Sequence, residues 1–215
     1  MRKLYLVMAL LISGSVVMAQ TNDPAAKQVL DAVSAKFKTF NSVQAGFAYK
    51  VEDAKGKAMS AKKGNVWMKG NKYRVSFGGQ EIFSDGKTVW NYDKTSNEVT
   101  INNVDASAST LTPQKLFTNF YDKDFLYKTN PDVKVGGKLM QEIELTPIDK
   151  SKPFFKVLVA VDKATQTIRQ TKVFEKNGNR YTYSVTNMST NAPLSDALFV
   201  FDAKKYPKVE IIDLR

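Results

Sequence analysis

The chain has 215 residues, 32 of them basic and 21 acidic, a formal net charge of +11, and neither cysteine nor histidine. Lacking both, it can form no Ser-His-Asp triad, Cys-His pair, His- or Cys-ligated zinc site, disulfide or imidazole switch near neutral pH. The lysines are scattered rather than blocked together, which argues against nucleic acid and for solvated strand faces, with acidic partners or anionic lipid surfaces as further readings of the sign.

Residues 1–19 read as a secretory signal peptide. Arg2 and Lys3 make a positive start, residues 4–12 are apolar, and Val17-Met18-Ala19 fits a cleavage site near Ala19. Gln20 follows the cut, so a lipoprotein's acylated cysteine is absent there. Loss of Arg2 and Lys3 lowers the charge from +11 to +9. Residues 20–215 suit a single exported, soluble domain with a sizeable core. No later segment is long and apolar enough to span a bilayer, so no stable membrane insertion is expected.

Asp23-Pro24 is a cap-then-proline start for a helix. Ala26, Val29, Leu30, Val33, Phe37 and Phe40 continue it as one apolar stripe, ending near Asn41. Val43, Ala45, Phe47, Tyr49 and Val51 alternate with smaller or polar residues and predict a strand. A turn over residues 53–56 leads into a second strand that reaches Trp67. Residues 64–92 carry both tryptophans and continue as a meander to about Val104, punctuated by Gly-Asn, Gly-Gly and Asp-Gly turns. Residues 105–110 read as a loop. Thr112-Pro113 opens a short helix with Leu116, Phe117 and Phe120. After Asn130-Pro131, strands are expected over 139–145, 154–161, 167–174 and 180–187, with Asn177-Gly178 as a hairpin turn. Phe199-Val200-Phe201 and residues 209–213 close the chain as two more short strands. So few helices cannot bridge parallel strands, so the sheet is expected to be antiparallel. The predicted fold is mainly β: an incomplete antiparallel barrel of about ten to eleven strands, with helices packed over its open concave face.

Two features imitate catalytic sites. Gly86-Lys87-Thr88 resembles the end of a phosphate-binding loop, but Glu81 stands where the first glycine belongs and a strand follows instead of a helix. The pairs Glu142/Glu144 and Asp122/Asp124 have no third group that would mark a metal site. Neither a catalytic residue, a metal ligand nor a cofactor is expected. An exported enzyme using one of these carboxylate pairs is the weakest reading.

Several strings resemble the periplasmic lipoprotein carrier family LolA, over nearly the whole mature chain. They are Phe47, Gly64-x-x-Trp67-x-Lys69, Tyr73-Arg74, Ser84-Asp85-Gly86-Lys87-Thr88-x-Trp90-x-Tyr92, Pro113 with Leu116-Phe117, Phe199-x-Phe201 and 209–213. The resemblance implies a non-enzymatic, monomeric periplasmic chaperone. It would shield the acyl chains of lipoproteins in a hydrophobic cavity between the inner and outer membranes. Its implied partners are acylated lipoproteins, an inner-membrane ABC transporter that loads it and an outer-membrane acceptor. A binding or sensor module for another lipid or glycolipid on the same fold is the alternative. Gly70 stands where many members carry an arginine thought to tie the barrel to its lid, which leaves that latch in question. Size and alternation make Phe47, Tyr49, Trp67, Tyr73, Val75, Ile82, Trp90 and Tyr92 the expected lipid-facing set. Phe37, Phe117 and Phe120 are the expected lid.

Overall fold

The computed structural model describes residues 22–104 and 121–215. The expected signal peptide, and the second helix with Phe117 and Phe120, lie outside the described residues.

The first helix, α1 (Pro24–Lys38), begins as the sequence predicts: the Asp23 carboxylate accepts the Ala25 N–H at 2.8 Å and proline occupies the first turn. Asp23 also fixes the helix to the sheet, because its backbone N–H donates to the Tyr127 carbonyl and its carboxylate accepts from the Thr129 N–H. The Thr129 hydroxyl and these amide donors hold its pKa below the usual carboxylate value. Lys36 and Lys38 in the last turn complement the helix dipole.

Among the described residues, twelve strands form one sheet. The first meander is β1 (Val43–Glu52), β2 (Ala58–Lys69), β3 (Lys72–Phe77), β4 (Gln80–Ser84), β5 (Thr88–Asp93) and β6 (Glu98–Asn103). After the helical turn α2 (Tyr121–Asp124), the second is β7 (Phe125–Val135), β8 (Lys138–Pro147), β9 (Phe154–Asp162), β10 (Thr167–Glu175) and β11 (Arg180–Thr190). Pairing of β1 with β11 joins the two, and β12 (Glu210–Asp213) adds to β6. The order is β12-β6-β5-β4-β3-β2-β1-β11-β10-β9-β8-β7, so among the described residues β12 and β7 are the terminal strands, do not pair with each other, and leave the barrel incomplete.

Three details differ from the sequence reading. The edge strand β7 starts before Asn130 and runs through Pro131, with a register irregularity between Asn130 and Val133. Proline is tolerated there because an edge strand can spare one N–H. Phe199 ends a 3-10 turn (Asp196–Phe199) capped by Ser195, and no strand forms over Phe199-Val200-Phe201. The last strand lies parallel to β6, against the expectation of an all-antiparallel sheet.

The sheet has two distinct faces. On the inner face, Ala26, Leu30 and Val33 of α1 pack with Tyr127, Ile143, Leu145, Val157 and Val159 of β7–β9. Further along that face, Phe37 and Phe40 pack with Val43, Ala45, Met68 and Tyr73. On the outer face of β4–β6, Phe83, Tyr92 and Val99 are covered by Phe201, Tyr206 and Val209 from the C-terminal segment.

Candidate functional site: an apolar cavity on the inner face

Cross-strand register sorts the expected lipid-facing residues. Val75 stands opposite Ile82 and Val66, and Tyr73 opposite Ser84 and Met68. Phe47 pairs with Gly64 and with Val185, and Tyr49 pairs with Tyr183. Phe47, Tyr49, Tyr73, Val75 and Ile82 therefore share the inner face. Trp67 pairs with Arg74, Trp90 with Phe83, and Tyr92 with Glu81, all on the outer face. Trp67, Trp90 and Tyr92 thus leave the expected site. The Tyr92 ring lies 4.4 Å from the Tyr206 ring and 5.6 Å from the Phe201 ring, between sheet and C-terminal segment. One residue of offset between strands is enough to reverse a face.

A cavity of about 240 Å³ opens on the inner face, lined by Phe47, Tyr49, Val75, Phe77, Gln80, Ile82 and Tyr183. Tyr73 borders this region within the buried cluster that includes Phe37. Phe77, Gln80 and Tyr183 stand outside the expected set. Phe77 continues the Tyr73-x-Val75 alternation, a signal that could have found it. Tyr183 enters only because β11 pairs with β1, across more than half the chain, and no local signal marks that pairing.

The rings form a connected wall. Phe47 stacks on Phe77 at 5.7 Å, and Tyr49 meets Phe77 edge-on at 5.2 Å. Tyr49 also lies 5.0 Å from Tyr183 and 6.0 Å from Tyr181. Tyr183 keeps 43 % of its surface open, but that surface faces a space walled by rings. Desolvation there, with the Tyr49 and Tyr181 phenols beside it, pushes its pKa up to about 12. Burial raises that of Tyr73 as well. These phenols stay neutral, as an apolar site requires.

One cation, Lys62, shares the inner face with Tyr49 and has its ammonium 5.8 Å over the Phe77 ring, and a paired cluster of charges lies on the outer face. The Glu81 carboxylate is 5 % exposed and is held by Arg74 at 2.5 Å and Lys94 at 2.7 Å. Burial opposes its ionisation, but the Lys94 and Arg74 hydrogen bonds prevail and its pKa falls below the usual value. The Arg74 guanidinium lies over the Trp67 and Phe83 rings at 5.5 and 4.6 Å. Arg74 is thus a structural residue of the outer face. Gly70 sits in the β2–β3 turn with φ +57°, and a Cβ there would meet nothing within 4 Å. A different tie acts at this turn. Lys69 and Lys72 both bond Asp196, at 2.9 and 2.7 Å, and fasten the turn to the C-terminal segment.

The phosphate-loop imitation resolves as a hairpin turn. Gly86 has φ +90°, and Asp85 accepts the Lys87 and Thr88 N–H groups at 2.8 Å each. Glu142 and Glu144 share the Asn130 side-chain amide on the outer face. Among the described residues, no group of acidic, His or Cys side chains could hold a metal, and no helix is long and apolar enough to cross a membrane.

Known proteins resemble this chain over most of its length. The family described as "Outer membrane lipoprotein carrier protein LolA" matches residues 38–202. An outer-membrane lipoprotein carrier protein of Pectobacterium carotovorum is 32% identical over 170 residues, covering 77% of this chain and 79% of its own. One of Pasteurella multocida is 29% identical over 182 residues, covering 81% and 82%. The crystal structure of an uncharacterized conserved protein from Thermus thermophilus superposes with a TM-score of 0.58. It is 15% identical and covers 88% of this chain and 99% of its own, a likeness of fold.

Proposed function

The chain belongs to the LolA family of outer membrane lipoprotein carrier proteins, and from that premise we propose that it is a periplasmic chaperone that shields the acyl chains of lipoproteins. It carries them from an inner-membrane ABC transporter to an outer-membrane acceptor, and no bond is made or broken. The observation that supports this reading best is the apolar cavity lined by Phe47, Tyr49, Val75, Phe77, Ile82 and Tyr183, beside the helix-covered half of the same face.

Magnitudes favour a cavity that opens further on loading. A volume of about 240 Å³ holds about eight methylene-sized groups at about 30 Å³ each. At about 0.8 kcal/mol per buried CH₂, that is about 6 kcal/mol, a contribution that by itself supports only weak binding before the costs of ordering the chain. A whole acyl chain needs more room. Phe37 and Phe40, which pack beside Tyr73, Val75 and Ile82, then act as the lid: they compete with cargo for the same apolar surface. That competition keeps binding weak enough for release.

The test is to isolate the protein from a native periplasm and identify what it holds by mass spectrometry. A triacylated polypeptide at stoichiometric level is expected. A glycolipid or free lipid in its place would turn the assignment to a sensor or another carrier. A hydrophilic ligand would overturn it.

A further inference from the structure

We propose that the outer face of β1, β2 and β9–β11 is a docking surface for an anionic membrane, on which the protein rests by its convex side while the inner cavity stays open. An open groove of about 710 Å³ runs over this face, with Lys50, Lys63, Lys172, Gln170, Thr182 and Ser184 among its lining residues. The register puts Ala48 opposite both Lys63 and Ser184, and Lys50 opposite Thr182, which fixes these side chains on the face away from Phe47 and Tyr49. The groove continues into an aromatic platform. The Phe174 ring has Lys156 over it at 4.6 Å and Lys172 and Arg180 at 5.7 Å each. Phe155 lies 6.2 Å from Phe174 and is 49 % exposed.

Five cations on one sheet face repel one another, and the fold holds them together by two devices. Glu52 accepts from Lys50 at 2.9 Å and from Lys172 at 3.0 Å. The quadrupole of Phe174 attracts Lys156, Lys172 and Arg180. Glu52 cancels one charge, so these six groups on β1, β2 and β9–β11 keep a net +4, while the Glu142 and Glu144 carboxylates of the same face stand on the neighbouring β8, Glu144 paired with Lys128. The Thr182 hydroxyl and the Gln170 amide line the groove between the cations and can donate to a phosphate ester, and Ser184 orients that amide by donating to its oxygen at 3.2 Å. An extended anionic layer with apolar material directly beneath it matches both the charge and the half-exposed Phe155, since aromatic rings settle at the headgroup level. An acidic polypeptide would satisfy the charge but offers no such layer for Phe155. This inference does not depend on what the inner cavity carries.

The experiment is co-sedimentation of the protein with vesicles of phosphatidylglycerol and phosphatidylcholine, and with phosphatidylcholine alone, in about 0.1 M and about 1 M salt, where the Debye length is about 10 and about 3 Å. Binding is expected to the anionic vesicles at the lower salt only. Each interfacial cation contributes about fivefold in partition, so K63Q/K156Q is expected to lower it roughly 30-fold. K134Q/K138Q, which removes two exposed lysines from the β7–β8 hairpin, is the control for net charge and is expected to change it less than about fivefold. Thermal unfolding of both variants checks that they fold. Equal losses in the two double variants, equal binding to neutral vesicles, or no binding to anionic vesicles would overturn the proposal. Retention on immobilised polyglutamate without vesicle binding would also overturn it, assigning the face to an acidic protein.

Discussion

The Phe47 ring lies across Gly64, its partner in the β1–β2 register, and stacks on Phe77 of the next strand but one. A Cβ at Gly64 would stand 2.9 Å from Phe47 Cε1 and 2.7 Å from the Ser76 carbonyl oxygen. The missing side chain is what lets one ring span two strands and form the cavity wall.

Gly64→Ala is therefore expected to displace the ring and reshape the cavity. The ring can swing, but the Ser76 backbone cannot follow easily. Overpacking of this kind costs about 1–3 kcal/mol. Urea unfolding should show a lower midpoint with an unchanged slope, and acyl-chain affinity should fall in the same protein. Full stability with unaltered affinity would show that the wall does not depend on this contact.

Phe77→Glu and Tyr73→Glu separate cavity from core. Phe77 is half-buried and lines the cavity, where water can enter and hydrate a carboxylate. Its variant should stay folded and lose acyl-chain binding. Tyr73 is 8 % exposed within a packed cluster, so a carboxylate there should cost about 4 kcal/mol or more. Circular dichroism melts and a fluorescent fatty-acid titration distinguish the two, and an unfolded Phe77→Glu would place that residue in the core.

Phe201→Ala tests the outer face. Phe201 contacts Phe83, Tyr92 and Tyr206 and is 8 % exposed. Truncation should cost about 3–5 kcal/mol, with cargo affinity per folded molecule unchanged. A stable variant that had lost cargo would return Tyr92 and Trp90 to the lipid site.

Glu81→Gln should cost about 3 kcal/mol. It leaves Arg74, whose side chain is only 24% exposed, without its counter-charge. Because the folded pKa of Glu81 is depressed, its contribution is full above the unfolded value near 4.5 and is lost as pH falls through the folded one. Acid unfolding of the variant should be less steep in that range than that of the parent.

Asp196 reports the tie at the β2–β3 turn. The hydrogen bonds from Lys72 and Lys69 bring its pKa from 3.8 to about 2. The stabilisation is complete above pH 3.8 and disappears as pH falls through about 2. Carboxyl NMR should place the transition near 2 at low salt. The group is exposed, so strong salt should move it back toward its ordinary value. A transition that stays at its ordinary value at low salt would mean that the two lysines do not hold it.

Local patterns are legible in this sequence, and long-range placement is not. Asp23-Pro24, the strand alternation and the Asp85-Gly86 turn are each fixed by neighbours a few residues away, and each forms as read. Arg74 and Tyr92 show the limit. Both sit in strings that read as one aromatic meander, yet the cover over Tyr92 comes from Phe201 and Tyr206, more than a hundred residues later. Tyr183 is the converse: it joins the cavity through a β1–β11 pairing that no short string announces. Segments such as Phe199-Val200-Phe201 look strand-like in composition, but the Ser195 cap turns the chain first.

The seam between β1 and β11 also governs how the molecule must assemble. Val43 meets Thr190 there, and Glu210 meets Glu98 at the far edge. Contacts this distant in sequence raise the contact order and slow folding, because the loop entropy is lost before the pairing rewards it. A chain released only as far as residue 104 would hold the first meander with both its flanking edges bare. Such edges are templates for aggregation, so a partly synthesised chain is expected to be aggregation-prone until its last strands arrive.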